Sequence, residues 1–383
     1  MQKSLDEIPS PDASQSPAST DVSTTAAEAE AAAAPATAKA TLRVILAETA
    51  RFGACLVLVS LVMIVLLEVC LRVFVVHPFS LGYVATHPTR NYQLVAGYRG
   101  TTYDKVLEIN SYGMRDEERA PDPKAFRVAV FGDSLTFGQG VEEPKLYSKQ
   151  LQGLLARESA VPVQVFNFAV PGYATALGVD RWKEIQPQFR PDVVIFQFSI
   201  LNECLPTTKD SAKAAANARP IVRTTKDALR KLYMYDYLAG RFYGAFQPLP
   251  VMDPRAVEKR YADDSPGWLQ CRELFTEIAS FARSSDARVV FALISHTALG
   301  PLAEEPPSVA PKLTTALDQA GLKYHVMTDD SLRPYAGKED ALNVRPDDPH
   351  FSELRHTLVA TRLHDYLKAT GSVSREAIHG SAP

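Results

Sequence analysis

Residues 130–138 read Val-Phe-Gly-Asp-Ser-Leu-Thr-Phe-Gly. Ser134 follows directly on an apolar run that reads as a buried strand. Its hydroxyl is therefore expected at the carboxyl edge of a sheet, where open α/β folds hold their sites. Gly132 permits a tight turn there, and Gly138 a close backbone approach. An ordinary strand-to-helix turn with serine as the cap would look the same, so the triplet needs partners. A phosphate cradle is excluded, because no lysine follows the glycines. Far downstream, Arg345-Pro346-Asp347-Asp348-Pro349-His350 precedes a helical pattern. An imidazole can take a serine's proton and return it to a leaving group. A nearby carboxylate would hold its tautomer and stabilise the imidazolium. Asp347 and Asp348 compete for that orienting role; spacing favours Asp347, and His356 is a distant second to His350 as base.

Acyl transfer also needs donors aimed at a developing oxyanion. Two more strand candidates end in Asn167-Phe168-Ala169-Val170-Pro171-Gly172 and Phe198-Ser199-Ile200-Leu201-Asn202. The backbone N–H groups of Ser134 and Gly172 and the side-chain amide of Asn202 would supply three donors. A plain Pro-Gly turn and a strand-end cap are the competing explanations for Gly172 and Asn202.

These residues must be positioned by a sheet. Strands are expected at Arg127–Phe131, Val163–Ala169, Asp192–Phe198, Arg288–Ile294 and Lys323–Met327, apolar almost throughout, as for parallel strands covered on both faces. Helical patterns near Lys145–Arg157, Ala174–Ile185, Trp268–Ala282, Ala310–Ala320 and Glu353–Leu367 fall between and after them. This alternation predicts an α/β fold with a parallel five-stranded sheet and helices on both sides. Residues 205–265 form an insertion too long for a simple crossover. It is locally basic and rich in tyrosine, and Thr224-Thr225-Lys226-Asp227 could open a helix. A solvated basic face is the simpler reading of this insertion; a wall that grips an acidic or carbohydrate substrate, or lipid headgroups, is the alternative.

Upstream, residues 1–41 hold few large apolar side chains and are expected to be a disordered tail. Residues 52–76 are nearly continuous hydrocarbon, long enough to cross a bilayer, with Glu68 and Arg72 four apart near the far end. Lys39, Arg43 and Arg51 precede the span closely, which favours a cytoplasmic N-terminus and an extracytoplasmic (periplasmic) C-terminal domain. Residues 79–125 connect it to the domain at 126–370, and 371–383 read as a flexible tail. The net charge of −3 gives no global attraction to nucleic acid. Apart from Cys55 and Cys70 in the span, only Cys204 and Cys271 remain. One disulfide or two free thiols are both open, and no Cys/His spacing resembles a zinc site.

Together these blocks resemble the GDSL/SGNH hydrolase superfamily, whose four signature residues map to Ser134, Gly172, Asn202 and His350, with Asp347 as third triad member. The resemblance covers roughly Phe126 to Leu367. It implies a flavodoxin-like three-layer α/β/α sandwich and a serine ester hydrolase that uses no cofactor or metal. Glu68-x-x-x-Arg72 and Asn110-x-x-Gly113-x-Arg115 also look like the membrane-anchored members. The third block departs from the usual Gly-x-Asn-Asp, reading Ile200-Leu201-Asn202-Glu203, which bears on the role of Asn202. The expected partners are an ester or acylated glycan or lipid substrate, and the membrane through one helix. Two alternatives use the same features. One is an O-acetyltransferase working with a multi-span acyl-donor partner. The other is a catalytically silent glycan-binding or scaffold module.

Overall fold

The computed structural model describes residues 23–74, 82–201, 203–204, 219–235, 237–238, 254–294, 306–327, 333–335, 337–345 and 348–373. The chain divides into two units, Met1–Cys70 and Leu71–Pro383.

Helix α1 runs from Ser23 to Phe74. Its Thr41–Phe74 portion is long and apolar enough to cross a membrane by length and composition, with a mean hydropathy of 2.9 in its most apolar window. The helix takes in residues 23–41, which were expected to be disordered. That stretch is dominated by alanine, the strongest helix former, which extends the helix without needing an apolar face.

The connecting segment is more ordered than its composition announces. It folds into two short antiparallel hairpins, β1 (Val84–His87) with β2 (Asn91–Leu94) and β3 (Arg99–Thr102) with β4 (Lys105–Glu108). A turn follows in which the Asn110 carboxamide oxygen accepts the N–H groups of Tyr112 and Met114, both at 3.0 Å. Gly113 closes it at φ 71°, a left-handed conformation that glycine adopts without penalty.

The domain then alternates strand and helix: β5 (Phe126–Phe131), α2 (Ser134–Phe137), α3 (Tyr147–Glu158), β6 (Val163–Asn167), α4 (Thr175–Phe189) and β7 (Val193–Phe198). The insertion contributes α5 (Pro220–Arg230) and α6 (Pro254–Arg260), and α7 (Pro266–Ser285) returns to the sheet. Then come β8 (Arg288–Ile294), α8 (Val309–Ala320), β9 (Lys323–Met327), a small hairpin of β10 (Asn343–Arg345) and β11 (Asp348–Phe351), and α9 (Glu353–Ala369). Helix α5 begins four residues before Thr224, because Pro220 sits in its first turn, where the missing N–H costs nothing.

The five main strands pair in the order β6-β5-β7-β8-β9, all parallel. This is the doubly wound order whose switch point lies at the carboxyl end of the first strand. Successive side chains of β5 enter opposite cores, as a strand's period of two requires. Phe131 and Ala129 join Phe196, Phe198, Trp182 and Phe275 under α4, α7 and α8. Val130 and Val128 join Leu151, Leu155, Leu363 and Leu367 under α3 and α9. Three layers result. Both faces of the sheet are covered, which is why β5 to β8 read as nearly continuous hydrocarbon; the edge strand β9, Lys-Tyr-His-Val-Met, is only partly buried. Past α9 the chain stays packed: Ser372 and Val373 are buried, so the first residues of the expected tail belong to the core. Residues 374–383 lie outside the described part.

Candidate active site

Strand β5 delivers Ser134 to the sheet's carboxyl edge through a turn in which nothing but glycine fits at position 132. A Cβ there would lie 2.5 Å from the Gln197 side-chain oxygen and closer still to the Thr136 hydroxyl. That Gln197 oxygen accepts the N–H of Asp133 at 3.0 Å and the Thr136 hydroxyl at 3.2 Å. The Asp133 carboxylate caps α2, accepting Leu135 N–H at 2.9 Å. At the other end of this one-turn helix the buried Arg115 guanidinium donates to the carbonyls of Phe137 (2.9 Å), Gly138 and Val141. These carbonyls have no partner within the helix. Burial lowers the Arg115 pKa to about 10. The serine turn is thus pinned at both ends, and the Asn110-x-x-Gly113-x-Arg115 segment supplies one of the pins.

The β10–β11 hairpin brings the imidazole from the far end of the chain. His350 Nε2 lies 2.8 Å from Ser134 Oγ, and its Nδ1 lies 2.5 Å from Asp348 Oδ1. The same carboxylate oxygen accepts the His350 backbone N–H at 3.0 Å. A neutral imidazole satisfies both contacts when Nδ1 carries the proton, which leaves Nε2 to accept from serine. The carboxylate at Nδ1 is therefore that of Asp348, where spacing had favoured Asp347. The reason is the strand: in β11, residues 348 and 350 lie two apart and share a face. Asp347 itself lies outside the described residues.

A fourth group closes the line. The Tyr103 hydroxyl donates to the other carboxylate oxygen of Asp348, Oδ2. Tyr103 sits in the β3–β4 turn with φ 57°, an uncommon conformation for a bulky side chain. Its ring is held beneath the Arg345 guanidinium, 4.5 Å from the ring centroid. Burial and the neighbouring Asp348 push the Tyr103 phenol well above its ordinary pKa, so it stays a donor. Burial would raise the Asp348 pKa, but the hydrogen bonds and charge of His350 and the Tyr103 hydroxyl outweigh it and hold it at about 2.

His356 is not part of this line. It is fully buried, its Nδ1 accepts Tyr147 N–H at 3.1 Å, and burial with two nearby arginines lowers its pKa to about 3.

The Gly172 loop runs beside the serine turn. The ladder continues past β6 with Phe168 N–H to Val130 O at 2.8 Å and Val170 N–H to Gly132 O at 3.1 Å. Val170-Pro171-Gly172-Tyr173 then closes a turn, Tyr173 N–H to Val170 O at 3.0 Å, with Gly172 at φ 76°. Asn202 lies outside the described residues, but both of its flanks are fastened. Tyr261 OH donates to Ile200 O at 2.9 Å and Arg260 to Leu201 O at 2.5 Å. The Glu203 carboxyl group receives Thr175 N–H at 2.9 Å and the Thr175 hydroxyl at 2.8 Å, capping α4. Complete burial raises the Glu203 pKa to about 8. Cys204 is bonded to Cys271 of α7, which settles the open question of the two thiols in favour of a disulfide.

Residues 130–358 match the family described as GDSL-like lipase/acylhydrolase. The chain belongs to that family. It is an ester-bond hydrolase. Among solved structures it is similar to TesA, with 15% identity, a TM-score of 0.38, and 63% of this chain and 98% of that one covered. It is also similar to the psychrotrophic esterase EstA from Pseudoalteromonas sp., with 14% identity, a TM-score of 0.35, and 64% and 98% covered. A third is the acetylxylan esterase Axe2 from Geobacillus stearothermophilus, with 13% identity, a TM-score of 0.37, and 68% and 99% covered. No curated protein matches the chain.

Tyr103 and Gln197 were invisible as site residues in the sequence. Tyr103 lies in a short polar hairpin 245 residues from its partner, and no local pattern marks it. Arg115 belonged to a recognised segment, but its hold on the serine turn needed the fold.

Proposed function

We propose that this protein is a membrane-anchored, extracytoplasmic serine esterase that cleaves carboxylic esters through Ser134, His350 and Asp348. The observation that carries this reading is the unbroken hydrogen-bonded line Tyr103–Asp348–His350–Ser134. In acylation, Ser134 Oγ attacks the ester carbonyl carbon while its proton passes to His350 Nε2. Asp348 stabilises the imidazolium and keeps Nδ1–H directed away from the substrate. Ser134 N–H, Gly172 N–H and the Asn202 amide serve the oxyanion. The tetrahedral intermediate collapses, the alcohol leaves with the Nε2 proton, and a water repeats the sequence on the acyl-enzyme.

The Thr41–Phe74 helix serves as the anchor, supported by its length and apolar character. An extracytoplasmic domain is supported by the cations that precede the span and by the Cys204–Cys271 bond, a feature of oxidising compartments. The substrate class that fits this location is an O-acyl group on a cell-envelope glycan or lipid. Ser134→Ala tests the mechanism. It should abolish turnover of an aryl acetate and labelling by a fluorophosphonate, with the thermal midpoint unchanged. A variant that still turns over the ester at the wild-type rate would remove Ser134 from the reaction.

A further inference from the structure

Helix α5 is amphipathic, but it is mounted with its polar side against the protein. The Asp227 carboxylate accepts the backbone N–H of Thr86 at 2.9 Å and its hydroxyl at 3.0 Å, and Arg230 reaches Val84 O at 3.5 Å. Both residues hold strand β1. The opposite, apolar side faces outward: Ile221 is 76% exposed and Leu229 39%, with Thr225 and Ala228 exposed between them. These positions recur at three- and four-residue intervals, so they form one stripe. Past the helix end Leu232, Tyr235 and Leu238 are exposed as well. A soluble surface normally orients such a helix the other way, and a contiguous apolar patch marks an interaction site.

The position of this stripe identifies its occupant. Arg72 donates to the carbonyl of Lys231, the residue that ends α5, at 2.8 Å. Arg72 stands two residues before the end of the Thr41–Phe74 segment. It belongs to the same unit as α5, Leu71–Pro383. The end of the apolar segment and the end of α5 are therefore tied together. Exposed Arg219 and Lys231 flank the helix at its two ends, cations that suit anionic headgroups.

We propose that α5 and residues 231–235 lie in the headgroup region of the bilayer that holds the span, with Ile221, Leu229 and Leu232 dipping into the acyl boundary. This inference rests on reading Thr41–Phe74 as the anchor. A second attachment point would hold α5 at the membrane surface.

The test uses the full chain in lipid nanodiscs containing phosphatidylglycerol, with plain or brominated acyl chains. The native Trp182 and Trp268 are buried and supply a constant background. Ile221→Trp and Leu61→Trp add one reporter each, and aryl ester turnover checks the fold of both. A ring about 5–10 Å into the interface should lose about half its emission or more in brominated discs. Quenching of both reporters supports the inference. Quenching of Leu61→Trp alone overturns it and leaves the anchor standing. Quenching of neither removes the anchor, and the inference with it. Ile221→Trp emission that is unquenched, blue-shifted and dependent on protein concentration would assign the stripe to a second copy and also overturn the proposal.

Discussion

Tyr103→Phe deletes one hydroxyl and leaves the ring beneath Arg345 in place. Asp348 would keep both contacts to His350 and lose the bond to Oδ2. A hydrogen bond to a charged group contributes about 1.5–3 kcal/mol. If that contribution acts through the orientation of the imidazole, kcat should fall about ten- to hundred-fold. KM should stay unchanged, because Tyr103 stands behind Asp348, away from the substrate side of His350. Initial rates with an aryl acetate separate kcat from KM, and a double-mutant cycle with Asp348→Asn supplies the decisive comparison. Residues acting through one another are non-additive, so Tyr103→Phe should cost almost nothing once Asp348 is replaced. Wild-type kcat in the single variant, or independent losses that add in the double, would refute the idea that Tyr103 works through Asp348.

Asn202→Ala should lower kcat about 10²–10³-fold if the amide meets the oxyanion; an unchanged kcat would leave that role to the two backbone donors. Glu203 keeps its proton in the native chain up to about pH 8, against an ordinary value of 4.5. Between those values the unfolded chain releases a proton that the native chain retains, so stability falls as pH rises. Glu203→Gln should abolish that contribution and melt above wild type at pH 8, as read by calorimetry at pH 5 and 8; a variant less stable than wild type at pH 8 contradicts it. Cys271→Ser opens a loop whose ends are 67 residues apart, which should cost about 4 kcal/mol in denaturant titration; the wild type under reducing conditions should match the variant.

The sheet was legible because its strands are buried on both faces, so their apolar runs carry their own boundaries to within one or two residues. The crossover helices declared themselves by periodicity. Ser134 and His350 stood out because each follows or precedes such an element. The carboxylate was harder. Choosing between Asp347 and Asp348 depends on whether the backbone there is extended, and Asp-Asp-Pro-His has no strand-like pattern of its own. The hairpins at 84–108 were read as plain connection because four-residue polar strands give no periodic signal. Yet they carry Tyr103 to a partner that only the fold brings near. The outward apolar face of α5 was equally hidden, since a basic segment with scattered leucines reads as a solvated surface until its contacts are known.

The Cys204–Cys271 bond turns the whole insertion into a covalent ring. A single proteolytic nick anywhere between those residues would leave both fragments attached, and the cut chain would migrate at full length in electrophoresis until a reductant was added. Cleavage within this region would then loosen it without releasing any part of the chain.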